Sequence, residues 1–409
     1  MAGGGAAASP GARRTAARSR LRGVFHRHRR AGELSRGPGH GSWGPGGGGA
    51  VTITRRLVVA GGAIAAAGAC RAQPAESLAE AAARRGVLFG AAVEPQTLDR
   101  DPAFAALIRR ECAGLTPENH MKWNLLRPAP RRFDFAGADR LVEIAQGQGM
   151  AVHGHALVWH EANPDWLARE LNPGTAAEIL YEHIDAVVGR YAGRVRSWDV
   201  VNEAIERNDR RPDGLRRSPW LEALGPDYIP MAFEAAHRAD PAARLVLSDY
   251  GFEYDDEAWM VEKRGTTLER LAGWRRDGVP IHALGIQGHL LGDRPPAFGE
   301  GLRRFLRDVA RLGLEIYVTE LDVNDQNTQG GVVRRDEVVA EIYDAFLRAV
   351  LDEPAVRMVT TWGLSDRYTS KADMFPRRDG APVRPLPFDR DLAPKLARRA
   401  IAQAFGGVR

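Results

Sequence analysis

The chain has 409 residues, a formal net charge of +5 and only two cysteines. Its first 50 residues hold nine arginines and one glutamate, a charge of +8, which leaves −3 for residues 51–409. A folded part with this charge excludes a broad basic surface for nucleic acid or anionic lipid. Two cysteines exclude a disulfide framework and a cysteine-based metal centre.

Residues 1–50 are rich in glycine, alanine and proline and lack the apolar periodicity of a core. We predict a disordered basic leader. Upstream codons translated by mistake, with Val51 as the true initiator, are our preferred explanation of this segment. The competing interpretation is a nucleic-acid-binding arm, which nothing else in the sequence favours.

Residues 51–75 are predicted to be an export signal. Arg55 and Arg56 precede a short apolar run and then small residues, and this region resembles a twin-arginine signal. The small residues before Cys70 also resemble a weak lipoprotein box, so lipid anchoring at Cys70 is the alternative to cleavage. The apolar run is too short for a transmembrane anchor. We expect a periplasmic or secreted protein without a membrane span.

Residues 76–409 contain no linker or low-complexity segment and are predicted to form one domain. Short apolar runs predict strands at 87–93, 114–119, 152–159, 195–202, 244–250, 283–290, 315–321 and 356–363. Amphipathic segments predict helices near 101–111, 136–148, 174–191, 228–239, 256–276, 298–312, 334–352 and 391–405. Eight strand–helix units favour a (β/α)8 barrel. The rival, a doubly wound sheet, lacks its glycine-rich nucleotide fingerprint after the first strand.

Polar residues follow nearly all of these predicted strands, where a barrel carries its chemistry. They are Glu118, Asn119, His155, Trp159, Asn202, Glu203, Asp249, Tyr250, Gln287, His289, Glu320, Asp322 and Trp362. Glu203 and Glu320 are the most informative, because each ends an apolar strand in which an unpaired carboxylate would be costly. Two carboxylates that face each other across a cleft are the machinery of glycosidic-bond hydrolysis.

The segments around these residues resemble family-10 glycoside hydrolases, the retaining endo-β-1,4-xylanases. The resemblance rests on Trp198-Asp199-Val200-Val201-Asn202-Glu203, Thr319-Glu320-Leu321-Asp322, Gly154-His155-Ala156-Leu157-Val158-Trp159-His160, Glu118-Asn119-His120-Met121-Lys122-Trp123 and Gln287-Gly288-His289-Leu290. It extends from about residue 85 to 404. It implies a TIM barrel that hydrolyses xylan with carboxylates alone, without a cofactor or a metal.

The resemblance makes Glu203 the general acid/base and Glu320 the nucleophile. Such an acid must first be protonated, so we expect apolar surroundings or nearby negative charge to raise the pKa of Glu203. Asn202 would bind the sugar 2-hydroxyl. Because neighbouring strand residues face opposite ways, the strand must bulge or end if Asn202 and Glu203 are both to reach the cleft. His289 would bridge Glu320 and Asp322.

The remaining residues are implied to bind sugar. His155, Trp159 and the indole platform of Trp362 would contact the sugar just before the cleaved bond, and Gln287 would lie on its nucleophile side. Glu118, Asn119 and Lys122 would form the next sugar site outward, and Tyr250 the rim. Lys122 is also one of only four lysines among 57 basic residues. The alternatives are ordinary ones: a surface salt bridge for Glu203, core packing for the tryptophans and a helix cap for Asp322.

Two positions depart from the family pattern. Ser370 stands where the family usually has a second tryptophan, and Gly251 stands where it has asparagine. We expect an altered wall at the first sugar site and a smaller polar rim. The sequence thus predicts an exported, monomeric xylanase that binds xylan or xylo-oligosaccharides. The alternatives are a related β-glucanase or mannanase, or a catalytically weak polysaccharide-binding barrel.

Overall fold

The computed structural model describes residues 76–406. The predicted leader at 1–50 and the whole predicted export signal at 51–75, which includes Cys70, therefore lie outside the described residues. The first described element is a helix at Leu78–Ala83, which starts with a capping box. Ser77 Oγ accepts from Glu80 N at 3.1 Å, and Glu80 Oε2 accepts from Ser77 N at 2.8 Å.

Eight parallel strands close into a barrel, which confirms the predicted fold. The described residues form nine strands, and all except β7 belong to this barrel: β1 (Leu88–Val93), β2 (Gly114–Pro117), β3 (Ala151–Gly154), β4 (Ser197–Asn202), β5 (Arg244–Asp249), β6 (Ala283–Ile286), β7 (His289–Leu291), β8 (Glu315–Asn324) and β9 (Val356–Thr361). Neighbours pair in chain order from β1 to β6, β9 joins β1 to β8, and the pairing of β6 with β8 completes the ring. The short β7 pairs with β8 outside this ring.

Helices surround the barrel, and eight of them correspond to the predicted segments. These are Pro102–Glu111, Ala136–Gly147, Ala176–Arg190, Tyr228–Ala239, Ala258–Arg276, Glu300–Arg311, Val332–Leu351 and Leu396–Gly406. Shorter helices at Leu78–Ala83, Pro95–Arg100, Trp123–Leu126, Asp165–Glu170, Pro219–Leu224 and Lys371–Met374 were not predicted. At four to six residues they are too short to show a helical period.

The core has two parts, as expected for a barrel. The larger joins the outward sides of the strands to the apolar faces of the helices. The smaller comes from five strands around the barrel and consists of Leu88, Val246, Ala283, Tyr317 and Met358. Strand register places Val246 beside Ala283, and Tyr317 beside Met358. The side chains that fill the barrel thus leave only its ends for chemistry.

Two predicted strands were too long. The predicted strand 152–159 ends at Gly154, although Leu157 N and Val158 N still donate to Asp199 O and Val200 O at 2.9 Å. The predicted strand 283–290 breaks at Gln287 and Gly288, where Gly288 has a φ of +77°. Apolar residues resume after each break, at Ala156 and at Leu290, so each run was predicted as one strand. Both breaks lie at the end of the barrel that carries the polar residues.

Among residues 76–406, no helix combines the length and the apolar character needed to cross a lipid bilayer.

Candidate active site

Glu203 lies directly after β4 in a conformation that few residues adopt. Its φ is +57°, in the left-handed region, and the register of β4 against β5 shifts between Asp199 and Val201. The strand therefore both bulges and ends here, as the sequence led us to expect. Left-handed backbone in a residue with a side chain costs free energy and must be held by its surroundings.

Two hydrogen bonds hold the Glu203 backbone in this conformation. Its amide donates to Ser248 O at 2.8 Å, and its carbonyl accepts from Arg216 Nε at 2.6 Å. The Arg216 guanidinium is buried and also donates from Nη2 to Tyr250 Oη at 2.9 Å. Arg216 was missed by sequence reasoning, because nothing in its loop marks it among many arginines. Tyr250, predicted at the rim, is the residue that Arg216 ties to this corner.

Asn202 completes the end of β4. Its side chain, in the orientation that satisfies its neighbours, accepts from Trp159 Nε1 and donates to Ser248 O, each at 3.3 Å. Trp159 thus reaches across from the segment after β3 to the tip of β4. The structure places Asn202, Trp159 and Glu203 side by side, as the sequence predicted.

The Glu203 carboxylate is buried among hydrogen-bond donors and positive charge. Gln287 Nε2 donates to Glu203 Oε1 at 3.0 Å, while His160 Nδ1 and Arg216 Nη2 lie 3.8 Å and 3.9 Å from Oε2. Burial raises the pKa of Glu203, but His160, Arg216 and the Gln287 hydrogen bond outweigh it and lower the pKa to about 2. The prediction of a raised pKa is therefore wrong for the unliganded protein. The sequence did not reveal that two cations face this carboxylate.

Glu320 lies within β8 and is held through a second network. Its amide donates to Gln287 O at 2.8 Å, and its Oε2 lies 3.2 Å from His289 Nε2. The other ring nitrogen of His289, Nδ1, lies 3.0 Å from Asp322 Oδ2. Asp322 therefore shares a face with Glu320, as period two predicts, and His289 bridges them.

His289 is strongly biased toward its charged form. Burial lowers its pKa, and the nearby Lys371 ammonium lowers it too, but Asp322 and Glu320 outweigh both and raise the pKa to about 9. The imidazolium can donate to both carboxylates at once, which fixes the orientation of the Glu320 side chain. Burial also raises the pKa of Asp322, but the charges of His289 and Lys371 bring it below its usual value.

His155 and Trp362 stand on the other side of Glu320. His155 Nδ1 lies 2.8 Å from Asp199 Oδ2 and 4.0 Å from Glu320 Oε1. The ring of Trp362 lies 5.3 Å from that of His155 and 6.5 Å from that of His289, edge-on to both. The edges of both imidazoles thus meet one indole close to the Glu320 carboxylate.

Lys122 lies between two indoles and beside a group of carboxylates. Its Nζ is 5.3 Å from the Trp159 ring centroid, 5.7 Å from that of Trp362, and 3.0 Å from Asn119 Oδ1. Asn119 Nδ2 in turn donates to Glu94 Oε1 at 2.5 Å. Glu94 was missed, although its place directly after β1 is the signal that identified the others.

Glu118 belongs to the same group. Burial raises its pKa, the charge of Glu94 raises it further, and Lys122 opposes both, so that the pKa is about 7. Burial lowers the pKa of Lys122, and the surrounding carboxylates oppose that change. A site with mixed charge and many donors and acceptors suits a neutral ligand that carries hydroxyl groups.

Gly251 and Ser370, the two departures from the family pattern, have different surroundings. Gly251 has a φ of +80°, and a Cβ at this position would come within 2.5 Å of the Trp259 ring. Trp259 thus occupies the room that a side chain would need. Ser370 stands directly before Lys371, whose ammonium enters the network of Glu320.

A (β/α)8 barrel whose mouth presents two buried carboxylates among indoles and polar side chains defines the class of glycoside hydrolases. The model of glycosyl hydrolase family 10 matches residues 77–404. The chain belongs to this family.

Its relatives are xylanases by name. A β-1,4-xylanase of Dictyoglomus thermophilum is 39% identical over 307 residues, which cover 72% of this chain and 82% of that protein. An endo-1,4-β-xylanase B of Thermotoga neapolitana is 36% identical, with 73% and 82% covered. The crystal structure of xylanase 10B from Thermotoga maritima is 33% identical and aligns with a TM-score of 0.73, covering 81% of this chain and 98% of that one. The crystal structure of xylanase 10B from Thermotoga petrophila RKU-1 in complex with xylobiose is also 33% identical and aligns with a TM-score of 0.73. This alignment covers 81% of this chain and 97% of that one.

Proposed function

We propose that this chain hydrolyses internal β-1,4 bonds of xylan by double displacement, with Glu320 as the nucleophile and Glu203 as the acid/base. The chain is a glycoside hydrolase of a retaining xylanase family, and the two roles follow from how the carboxylates are held. Glu320 is oriented by a charged His289, whose Nε2 lies 3.2 Å from its carboxylate. Gln287 contacts both Glu203 and Glu320.

The observation that carries the proposal is this double contact of Gln287. Its side chain binds the carboxylate of Glu203, and its backbone carbonyl binds the amide of Glu320. Gln287 thus ties the carboxylate of Glu203 to the backbone of Glu320, and a retaining reaction needs the two carboxyl groups about 5–5.5 Å apart. In the first step Glu320 attacks the anomeric carbon while Glu203 gives its proton to the leaving oxygen. In the second step Glu203 takes a proton from water, whose oxygen bonds to the anomeric carbon and displaces the carboxylate of Glu320.

The low pKa of Glu203 adds a condition to this mechanism. At neutral pH the unliganded site holds Glu203 as a carboxylate, so a proton must be taken up before the first step. A neutral His160 would remove the largest of the influences that lower the pKa. Sugar in the cleft would also exclude water from the carboxylate, which favours the protonated form. Substrate binding and proton uptake are therefore linked in this proposal.

The sugar-binding roles follow from chemistry already present in the cleft. Trp362 and Trp159 offer indole surfaces beside Glu320 and Glu203, on which the C–H faces of a pyranose can stack. Lys122, Asn119 and Glu118 offer donors and acceptors one step further out. Export by residues 51–75 and a monomeric state stay predictions. Fractionation of cells that express the full chain, with Arg55→Lys/Arg56→Lys as the matched variant, would test export.

The decisive experiment follows the stereochemistry of the reaction. Purified protein from residue 76 onward is incubated with xylan, and the anomeric configuration of the first products is read by proton NMR. We expect β-anomers before mutarotation, and we expect xylo-oligosaccharides from xylan but little release from mannan or β-glucan. First products of α-configuration, or equal rates on the three polysaccharides, would refute the proposal.

A further inference from the structure

The four lysines of this chain share one property. Lys122, Lys263, Lys371 and Lys395 are the only lysines among 57 basic residues, and all four are buried. Three of them form ion pairs with buried aspartates: Lys263 with Asp249, Lys371 with Asp322, and Lys395 with Asp366. Arginine carries the positive charge elsewhere, so lysine occurs where a compact ammonium is enclosed. Each of these lysines therefore deserves a specific explanation.

Lys371 is the one that enters the network of Glu320. Its Nζ lies 3.0 Å from Asp322 Oδ2, the same oxygen that His289 Nδ1 contacts at 3.0 Å. The two nitrogens are themselves only 3.3 Å apart. The Lys371 side chain is 4% exposed and Asp322 is fully buried, so solvent screens these charges little. An ammonium and an imidazolium thus share one carboxylate oxygen and repel each other.

The charges of this network balance when His289 is protonated and Glu320 is ionised, and again when both are neutral. In the first case Glu320 and Asp322 supply two negative charges, and His289 and Lys371 supply two positive ones. If Glu320 becomes neutral, a protonated His289 leaves a net positive charge in a buried site, which is unfavourable. Without Lys371, the remaining three groups would balance with His289 protonated even after Glu320 becomes neutral.

Two further side chains, Glu253 and Trp362, also face His289. Burial raises the pKa of Glu253, in the loop after β5, and the nearby charge of His289 partly opposes this rise. The Glu253 carboxylate accepts from the amides of Gly288 and Phe252 at 3.1 Å and 2.8 Å. The Trp362 ring stands edge-on to the imidazole.

We propose that Lys371 is a positioning residue of the nucleophile, and that by sharing Asp322 with His289 it makes the imidazolium proton depend on the charge of Glu320. While Glu320 is a carboxylate, His289 is charged and holds it in place. When the charge of Glu320 is removed, as it is when the carboxylate forms an ester with sugar, His289 binds its proton less tightly. This inference rests on the proposed role of Glu320, but its test needs no turnover.

The test is a mutant cycle read by NMR. Glu320→Gln removes the charge and keeps the shape of the side chain. The pKa of His289 is measured from its imidazole ¹⁵N resonances in the wild-type chain, in E320Q, in K371M, and in the double variant E320Q/K371M. The matched control is E320Q/K395M, which loses another buried lysine, one that pairs with Asp366 instead.

We expect a pKa of about 9 in the wild-type chain. In E320Q the pKa of His289 should fall by about one to two units. In the double variant E320Q/K371M it should be higher than in E320Q by about one unit or more. The control E320Q/K395M should match E320Q. Equal pKa values in E320Q and E320Q/K371M would overturn the proposal, as would a return in the control. If K371M does not fold, K371Q gives the same comparison, because it can still donate to Asp322 without a charge.

This readout separates the inference from the proposed function. If the protein does not hydrolyse xylan but shows the expected pKa changes, the coupling through Lys371 stands and the proposed function is refuted. If the protein hydrolyses xylan but the pKa of His289 does not depend on Lys371, the proposed function stands and the coupling is refuted.

Discussion

Gln287 donates from its side chain to Glu203 Oε1 at 3.0 Å, and Gln287 is also the residue whose carbonyl accepts from the Glu320 amide at 2.8 Å. One residue at the break between β6 and β7 thus links the carboxylate of Glu203 to the backbone of Glu320. The left-handed Gly288 that follows lets the chain turn at this point without steric cost. The Glu320 carboxylate itself is oriented by His289.

The two carboxylates should respond differently to the leaving group. Glu320→Ala should abolish hydrolysis of xylan and of aryl xylosides alike, because both need the nucleophile. Glu203→Ala should lower kcat/KM on xylan by about 10²–10⁴-fold and affect activated aryl xylosides much less, since these need little proton donation. Steady-state rates on both substrates measure this. Equal losses on both substrates for Glu203→Ala would contradict the acid/base role.

Arg216 should act through the backbone of Glu203. Arg216→Met removes the hydrogen bond to the Glu203 carbonyl and the one to Tyr250, so the left-handed residue loses its support. We expect kcat to fall by up to about 10²-fold, the size of effect that a misplaced catalytic group can cause. The matched control is Arg217→Met, which alters the exposed neighbouring arginine and should leave kcat unchanged. A similar loss in both variants would show a general effect on the loop.

His160 should set the pH range of the acid/base. Its positive charge stabilises the Glu203 carboxylate, so His160→Gln should raise the pKa of Glu203 from about 2 toward the ordinary value. A raised pKa increases the protonated fraction at a given pH, so the decline of activity on the alkaline side should move to higher pH. A pH profile of kcat/KM measures this, with His237→Gln as the control. A profile unchanged or moved to lower pH would contradict the assignment.

Gly154 should be essential for packing at the end of β3. A Cβ at this position would lie 2.1 Å from Cε3 of Trp198, whose ring is fully buried and cannot move aside cheaply. We expect Gly154→Ala to destabilise the protein by about 1–3 kcal/mol or more in urea unfolding. Gly147→Ala, near the end of a surface helix, meets no atom within 4 Å and serves as the control. A stability loss in the control as large as that in Gly154→Ala would argue against the clash.

The sequence predicted the barrel and most of its cleft for a simple physical reason. Buried parallel strands are continuous apolar runs, and a polar residue directly after such a run, as in Glu203, Glu320 or Gln287, stands out against it. The same signal would have found Glu94 after β1. Helices of four to six residues and the break at Gly288 left no periodic trace.

Arg216 and His160 show where prediction from sequence ended. Both approach Glu203 from loops, and a loop's path is fixed by tertiary contacts that no local pattern records. Because these cations were not foreseen, the direction of the Glu203 pKa was predicted wrongly. Lys371 carried a weak signal, the scarcity of lysine, which was used only for Lys122.

The burial of all four lysines has a practical consequence. Reagents that couple to primary amines will find no accessible lysine side chain on the folded barrel. Loss of structure would expose four new amines. Amine labelling counted by mass spectrometry is therefore a direct measure of intactness for this enzyme.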